Sequence, residues 1–208
     1  MEQKIKSKKS GKKDFYAIEA PITSIKISLY GSSAEEFEGR VVKLDLTKSL
    51  RGKSLELKMK IKNEKGKLVA MPIGINLIGS YIRRSMRRGI DYVEDSFDSE
   101  CKDANIKVKP FLITRKKVSR KVRKILREEA KKYIEYYTKT REIKELFSDI
   151  MTNKLQKGMA AKLKKIYHLA MCEIRVFEFI SDKKIEEKND KNSEEKDLGD
   201  RKSPEKSK

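Results

Sequence analysis

LELKMKIKNEKGKLVAMPIGI, residues 55–75, is the stretch that decides the fold class. Leu55, Leu57, Met59 and Ile61 alternate with Glu56, Lys58, Lys60 and Lys62. Successive side chains of an extended chain point to opposite faces, so one face here is apolar and the other is mostly lysine. Asn63-Glu64-Lys65-Gly66 supplies a turn, and Leu68 to Ile75 returns. The pattern predicts an antiparallel hairpin with one face on a core.

Strand signals continue towards the N-terminus. Phe15 to Ala20 reads as a short strand that stops at Pro21, and Ile25, Ile27 and Leu29 alternate with Lys26 and Ser28. Gly31-Ser32-Ser33 turns the chain, and a further strand fits Phe37 to Leu46.

Towards the C-terminus, Asn76 is a candidate cap for a short helix with Leu77, Ile78, Tyr81, Ile82 and Met86 on its apolar face. Gly89 is the residue expected to end it. Ile90 to Phe97 and Ile106 to Thr114 read as another strand pair, joined by a polar loop that holds Cys101. The period then changes. Val122, Ile125, Leu126, Ala130, Tyr133, Ile134 and Tyr137 recur at steps of three and four, which predicts one long helix from about Val118. Helical segments near 140–153 and 157–167 follow, and Leu169 to Ile180 reads as a final strand.

The resulting fold class is α+β: an antiparallel, barrel-like sheet, packed C-terminal helices and a closing strand. We expect a disordered basic tail over 1–13 and a single domain over 14–180. That domain is β-rich in 14–115, helical in 116–168, and closes with a strand over 169–180. A disordered, charge-mixed tail is expected over 181–208.

The chain has 208 residues, of which 37% are hydrophobic and 40% are charged. The first share suffices for a core; the second is well above the ordinary quarter, so much of the surface is charge. Of the net charge of +20, residues 181–208 contribute nothing, with nine basic and nine acidic residues. Residues 1–13 carry six lysines against Glu2, and 14–180 retain 37 basic against 22 acidic residues. The excess therefore lies mainly on the expected domain and not on its tails. No apolar run follows the lysine-rich start, so no signal peptide is expected. No stretch approaches 18 apolar residues, so no membrane span is expected either.

Basic residues are concentrated in two clusters. Between Arg115 and Arg127, eight of thirteen residues are basic (Arg115, Lys116, Lys117, Arg120, Lys121, Arg123, Lys124 and Arg127), and none is acidic. Arg120 to Arg127 flank the Val122, Ile125 and Leu126 stripe on both sides. Cations at a helix N-terminus oppose its dipole at ~0.3–1 kcal/mol each. A polyanion along that surface removes the repulsion and gains counterion release. Arg83, Arg84, Arg87 and Arg88 recur at helical spacing, with no acid between Leu77 and Ile90, and read as a second phosphate-contacting ridge. Lys8, Lys9, Lys12 and Lys13 of the tail join them as candidates for the same partner. Gln, Asn and aromatic residues are not interleaved with these runs, so phosphate and shape contacts to folded RNA are expected, not base reading.

Catalytic chemistry has little to work with. GxxxxGK[ST] and GxGxxG are both absent. Cys101 and Cys172 stand in no metal-ligand spacing, and His168 does not complete a zinc site with them. Two reduced thiols are expected, Cys172 as a small buried hydrophobe and Cys101 exposed in its loop. His168, at a helix end, reads as a partly buried or capping residue with no nucleophile beside it. Asp91, Glu94, Asp95 and Asp98 invite a metal reading, with Asp91 and Asp95 on one strand face. A solvated strand edge balancing nearby arginines is preferred. No catalytic residue, metal or cofactor is expected.

Several segments, in order, resemble the archaeal and eukaryotic small-subunit ribosomal protein S-one-e family, S-three-a in older naming. KKDFYAIEAP (12–21) resembles its opening signature, with Phe15 where Trp is usual. GRVVKLDLTKSL (39–50) is similar to its next strand. Arg83 through Ile90-Asp91 to Ile113-Thr114-Arg115-Lys116 follows its arginine-rich helix, acidic strand and strand-to-helix junction. KLKKIYHLAMCEIRVFEFI (162–180) resembles its closing helix and strand, with His168 where proline is common. The resemblance implies a β-barrel with packed helices and a structural, non-catalytic role in the small subunit. It implies contact with rRNA on the platform near the messenger exit, and neighbouring ribosomal proteins, plausibly S-eleven. A cytoplasmic place in the ribosome, no membrane and no homo-oligomer are also implied. The alternative from the residues alone is a free RNA-binding regulator or a ribosome assembly factor.

Overall fold

The structure is a computed structural model that describes residues 13–23, 25–50, 52–64 and 67–182. The architecture is α+β, with nine strands in antiparallel sheets and four α-helices among the described residues. The chain divides into two compact units, Met1–Ile73 and Gly74–Lys208.

In the first unit, strands β1 (Asp14–Ile18) and β2 (Ile27–Gly31) form an antiparallel ribbon in which Phe15 faces Tyr30 and Ala17 faces Ser28. Glu19 extends it by bridging to Val69. The expected strand over 37–46 is divided. A 3-10 helix, Ala34–Phe37, comes first, and β3 (Val41–Asp45) follows Gly39. Gly39 has φ +78°, a conformation that ordinary residues rarely adopt, and its N–H donates to the Ile61 carbonyl at 2.9 Å. β3 pairs with β4 (Leu55–Glu64), which pairs with β5 (Lys67–Leu77). The predicted alternation holds: Leu55, Leu57, Met59 and Ile61 are all buried. Of the expected turn, Asn63 and Glu64 belong to β4, while Lys65 and Gly66 lie outside the described residues.

The second unit takes the last four residues of β5, where Asn76 pairs with Val176. Asn76 is thus a strand residue and not a helix cap. Ile75 and Leu77 are buried, and Gly74 to Leu77 keep the two-residue period of the strand. Helix α1 (Gly79–Ser85) starts later and has no side-chain cap. Strands β6 (Tyr92–Glu94) and β7 (Phe97–Glu100) replace the single strand expected over 90–97. Both pair with one edge of β8 (Ala104–Thr114), whose other edge pairs with β9 (Leu169–Asp182). Pro110 explains the break. It lacks an N–H, lies between the segments of β8 that meet β7 and β6, and sits at a register shift against β9. No closed barrel forms among the described residues. The outer edge of β8 is taken by β6 and β7, only three and four residues long, which leave no long edge to close upon.

The helices pack on this sheet. Helix α2 (Arg120–Lys139) buries Leu126, Ala130, Ile134 and Thr138, a strict four-residue repeat narrower than the predicted stripe. Ile125 is 41% exposed. The Thr138 and Ser99 hydroxyls hydrogen-bond at 2.8 Å, fixing α2 on β7. Helices α3 (Ile143–Met151) and α4 (Lys154–Leu163) complete the layer, with Phe147 of α3 edge-on to Phe177 of β9 at 5.1 Å. The buried Asp149 carboxylate ties the three helices together: it accepts from the Tyr137 hydroxyl at 3.0 Å, pairs with Arg141, and lies 3.6 Å from Lys154 Nζ. Desolvation and the bond to Asp149 push the Tyr137 phenol up to about 12.

Candidate nucleic-acid interface

The cationic run begins where β8 ends. Thr114 is fully buried, and its hydroxyl donates to the carbonyls of Asp91 and Lys116 at 2.8 Å each. Its N–H donates to the Asp91 carbonyl at 2.9 Å, and the Asp91 N–H donates back to the Thr114 hydroxyl at 3.1 Å. The Asp91 carboxylate accepts from the Val118 N–H at 2.9 Å. Ser119 then caps α2 through its hydroxyl, which accepts from the Val122 N–H at 3.4 Å. These bonds hold Arg115, Lys116 and Lys117 exposed on a pinned junction.

Along α2, Arg120, Lys121, Lys124 and Arg127 are exposed and Arg123 is half-buried. Arg123 and Arg127, one turn apart, line an open groove of about 770 Å³. The same groove is lined by Met86 of the α1 C-cap, by Tyr92 and by Lys109. A second groove, of about 320 Å³, shares Met86, Tyr92 and Glu94 and adds Arg83 and Arg175. The fold thus gathers the end of α1 and the start of α2 about Tyr92.

The four α1-region arginines do not form one helical ridge. Arg83 and Arg84 lie in the last turn of α1, while Arg87 and Arg88 lie beyond its C-cap at Met86. All four are exposed, with Arg84 over the Tyr81 ring at 5.9 Å. Gly89 has φ +84° and shapes the turn after the helix without ending the helix itself. Lys13 belongs to the first unit and stands 6.0 Å from the Tyr30 ring centroid. Lys8, Lys9 and Lys12 lie outside the described residues.

Lys109, Tyr92 and Arg175 are groove residues that the sequence reading did not single out. Lys109 and Arg175 carry the signal of charge alternating along a strand; for Tyr92 only the strand register places the ring. Acids enter the groove as well. Asp91 is engaged by Val118, Glu94 by Arg175, and Asp95 accepts from the Ser96 N–H at 2.9 Å. Lys124 pairs with Glu128 at 3.9 Å. Among the described residues, none of the other seven cations of the 115–127 run forms an ion pair.

The remaining reactive residues are placed differently from expectation. Cys101 is buried, its thiol donating to the Ala104 carbonyl at 2.9 Å, because Cys101 to Ala104 closes the tight β7–β8 turn. His168 is exposed in the connection between α4 and β9, neither buried nor shown capping. Burial pushes the Cys172 thiol up to about 12, with Glu173 adding to the effect. Among the described residues, no three His, Cys, Asp or Glu side chains are grouped to hold a metal ion.

A basic surface on a rigid scaffold is the footprint of proteins that bind nucleic acid. The family model described as the Ribosomal S3Ae family matches residues 1–183, and the chain belongs to that family. It is a ribosomal protein of the small subunit, an RNA-binding part of a ribonucleoprotein that serves translation. No curated protein matches the chain. No helix among the described residues is long and apolar enough to cross a membrane.

Proposed function

We propose that this protein is a structural, non-catalytic constituent of the small subunit, bound to rRNA through the 115–127 run together with Arg83, Arg84, Arg87 and Arg88. The observation that carries the reading is the pinned Thr114–Ser119 junction, which presents cations that no carboxylate of the fold neutralises. Such an arrangement opposes the α2 dipole and is stabilised by phosphates from outside. Contacts to phosphate and to the shape of folded RNA fit a surface of Arg and Lys. The lysines of residues 1–13 join that contact. The family resemblance supports a place on the platform near the messenger exit, S-eleven among the neighbours, and the cytoplasm as the compartment.

Reversing Arg120, Lys121, Arg123 and Lys124 to Glu tests the surface. Loss of rRNA binding with an unchanged circular dichroism spectrum is expected; unchanged affinity overturns the assignment. Purified small subunits should carry one copy each through moderate salt. Marked substoichiometry would favour a free regulator or assembly factor instead.

A further inference from the structure

The β1–β2 ribbon presents a feature that the basic clusters do not explain. Its register sets Phe15 opposite Tyr30, so both rings emerge on one face. They are 75% and 56% exposed, with centroids 5.0 Å apart and planes tilted by 48°. Large rings so open to water forgo ~1.5–3 kcal/mol of burial each. Their surroundings are small and cationic. Ala17 and Ser28, the next residues on that face, are exposed, as are Lys13 and Lys26. The one acid with the same alternation, Glu19, is paired with Lys67 at 3.6 Å. Beside the rings, Ala17, Pro21, Thr23 and Lys26 line an open recess of about 540 Å³. The buried Thr23 hydroxyl finds no hydrogen-bond partner among the described residues.

We propose that Phe15 and Tyr30 form a stacking platform for unpaired bases of single-stranded RNA, with Lys13 and Lys26 on the flanking phosphates. The proposal rests on the rRNA-binding reading and adds a base-contacting mode to it. An exposed ring accepts any base face, and lysines beside it neutralise the backbone that carries the base. A protein partner would call for a broader apolar patch around the rings. Here two isolated rings are ringed by Ala, Ser and Lys. The recess beyond Ala17 gives a neighbouring nucleotide room and, in Thr23, a hydroxyl able to donate or accept.

The test uses the full chain with two probes, a short oligoadenylate and a fully paired RNA hairpin. Phe15→Ala with Tyr30→Ala should weaken oligoadenylate binding at least about tenfold, or ~1.4 kcal/mol, and leave the hairpin affinity unchanged. The sequence has no Trp, so Phe15→Trp supplies a single reporter whose emission should be quenched by the oligoadenylate and not by the hairpin. Hairpin binding by the parent chain, with oligoadenylate affinity equal in parent and double variant, overturns this proposal alone and leaves the rings to a protein contact. Failure of the parent chain to bind either RNA overturns the rRNA reading and this one with it.

Discussion

The Asp91 carboxylate accepts a hydrogen bond from the Val118 N–H at 2.9 Å, joining residues 27 positions apart just ahead of helix α2. The first turn of α2 contains no acid. Asp91 thus places from outside the helix the negative charge that a helix N-terminus favours. The cationic run is stabilised by a partner that the local sequence lacks.

Asp91→Ala should lower stability by ~1–2 kcal/mol, because the Val118 N–H loses its acceptor and the helix loses a favourable charge. Asp91→Asn keeps an acceptor oxygen and should lose less. Urea unfolding midpoints check the order; a midpoint for Asp91→Ala equal to the parent would show that the bond does not anchor α2.

Arg123 and Lys124 are adjacent in sequence and differ in engagement. Arg123 lines the groove without an ion pair, whereas Lys124 is held by Glu128 at 3.9 Å. Arg123→Ala should therefore reduce the slope of log affinity for RNA against log salt by roughly one unit. Lys124→Ala should change it less. Titrations at several salt concentrations decide this, and equal slopes for the two variants would count against the groove as the contact.

The Tyr137 phenol, at about 12, lies above the ordinary value for tyrosine. The folded state therefore holds this proton more tightly than the unfolded chain. Its contribution is fully present below the ordinary phenol range and is lost as pH rises towards 12, when the phenolate comes to face Asp149. Tyr137→Phe should flatten the fall in stability over that window relative to the parent. Unfolding measured across the alkaline range is the check, and parallel curves would contradict the assignment.

Gly31 faces a ring that has nowhere to go. A Cβ at this position would sit 2.3 Å from Phe37 Cζ, and Phe37 is fully buried, with Tyr16 against it at 5.5 Å. Gly31→Ala should destabilise by ~1–3 kcal/mol through overpacking. Adding Phe37→Leu should cost less than the sum of the two single changes, since the smaller side chain relieves the clash. Strict additivity in denaturant melts would rule the clash out.

Short-range patterns were legible where one face of an element is buried. Leu55 to Ile61 alternate and are buried as that alternation requires, and α2 follows its apolar repeat. Errors arose where a local signal competed with a long-range one. Asn76 looks like a helix cap, yet its pairing with Val176 keeps it in a strand. Pro110 was the overlooked sign that the strand opposite would break, since its missing N–H interrupts the ladder. Cys101 looked exposed in a polar loop, but the turn closes through its own thiol.

The sequence by itself determined the α+β class, the hairpin, the long helix and the sign and location of the excess charge. Each depends on periodicity or composition within a short window. Only the tertiary structure decided what lies opposite what. Strand register brings Phe15 against Tyr30, Asp91 reaches Val118, and Tyr92 lines both grooves between Arg83 and Arg123. A shift of one residue turns every side chain of a strand to the other face, so such neighbours are properties of the whole sheet and not of any segment.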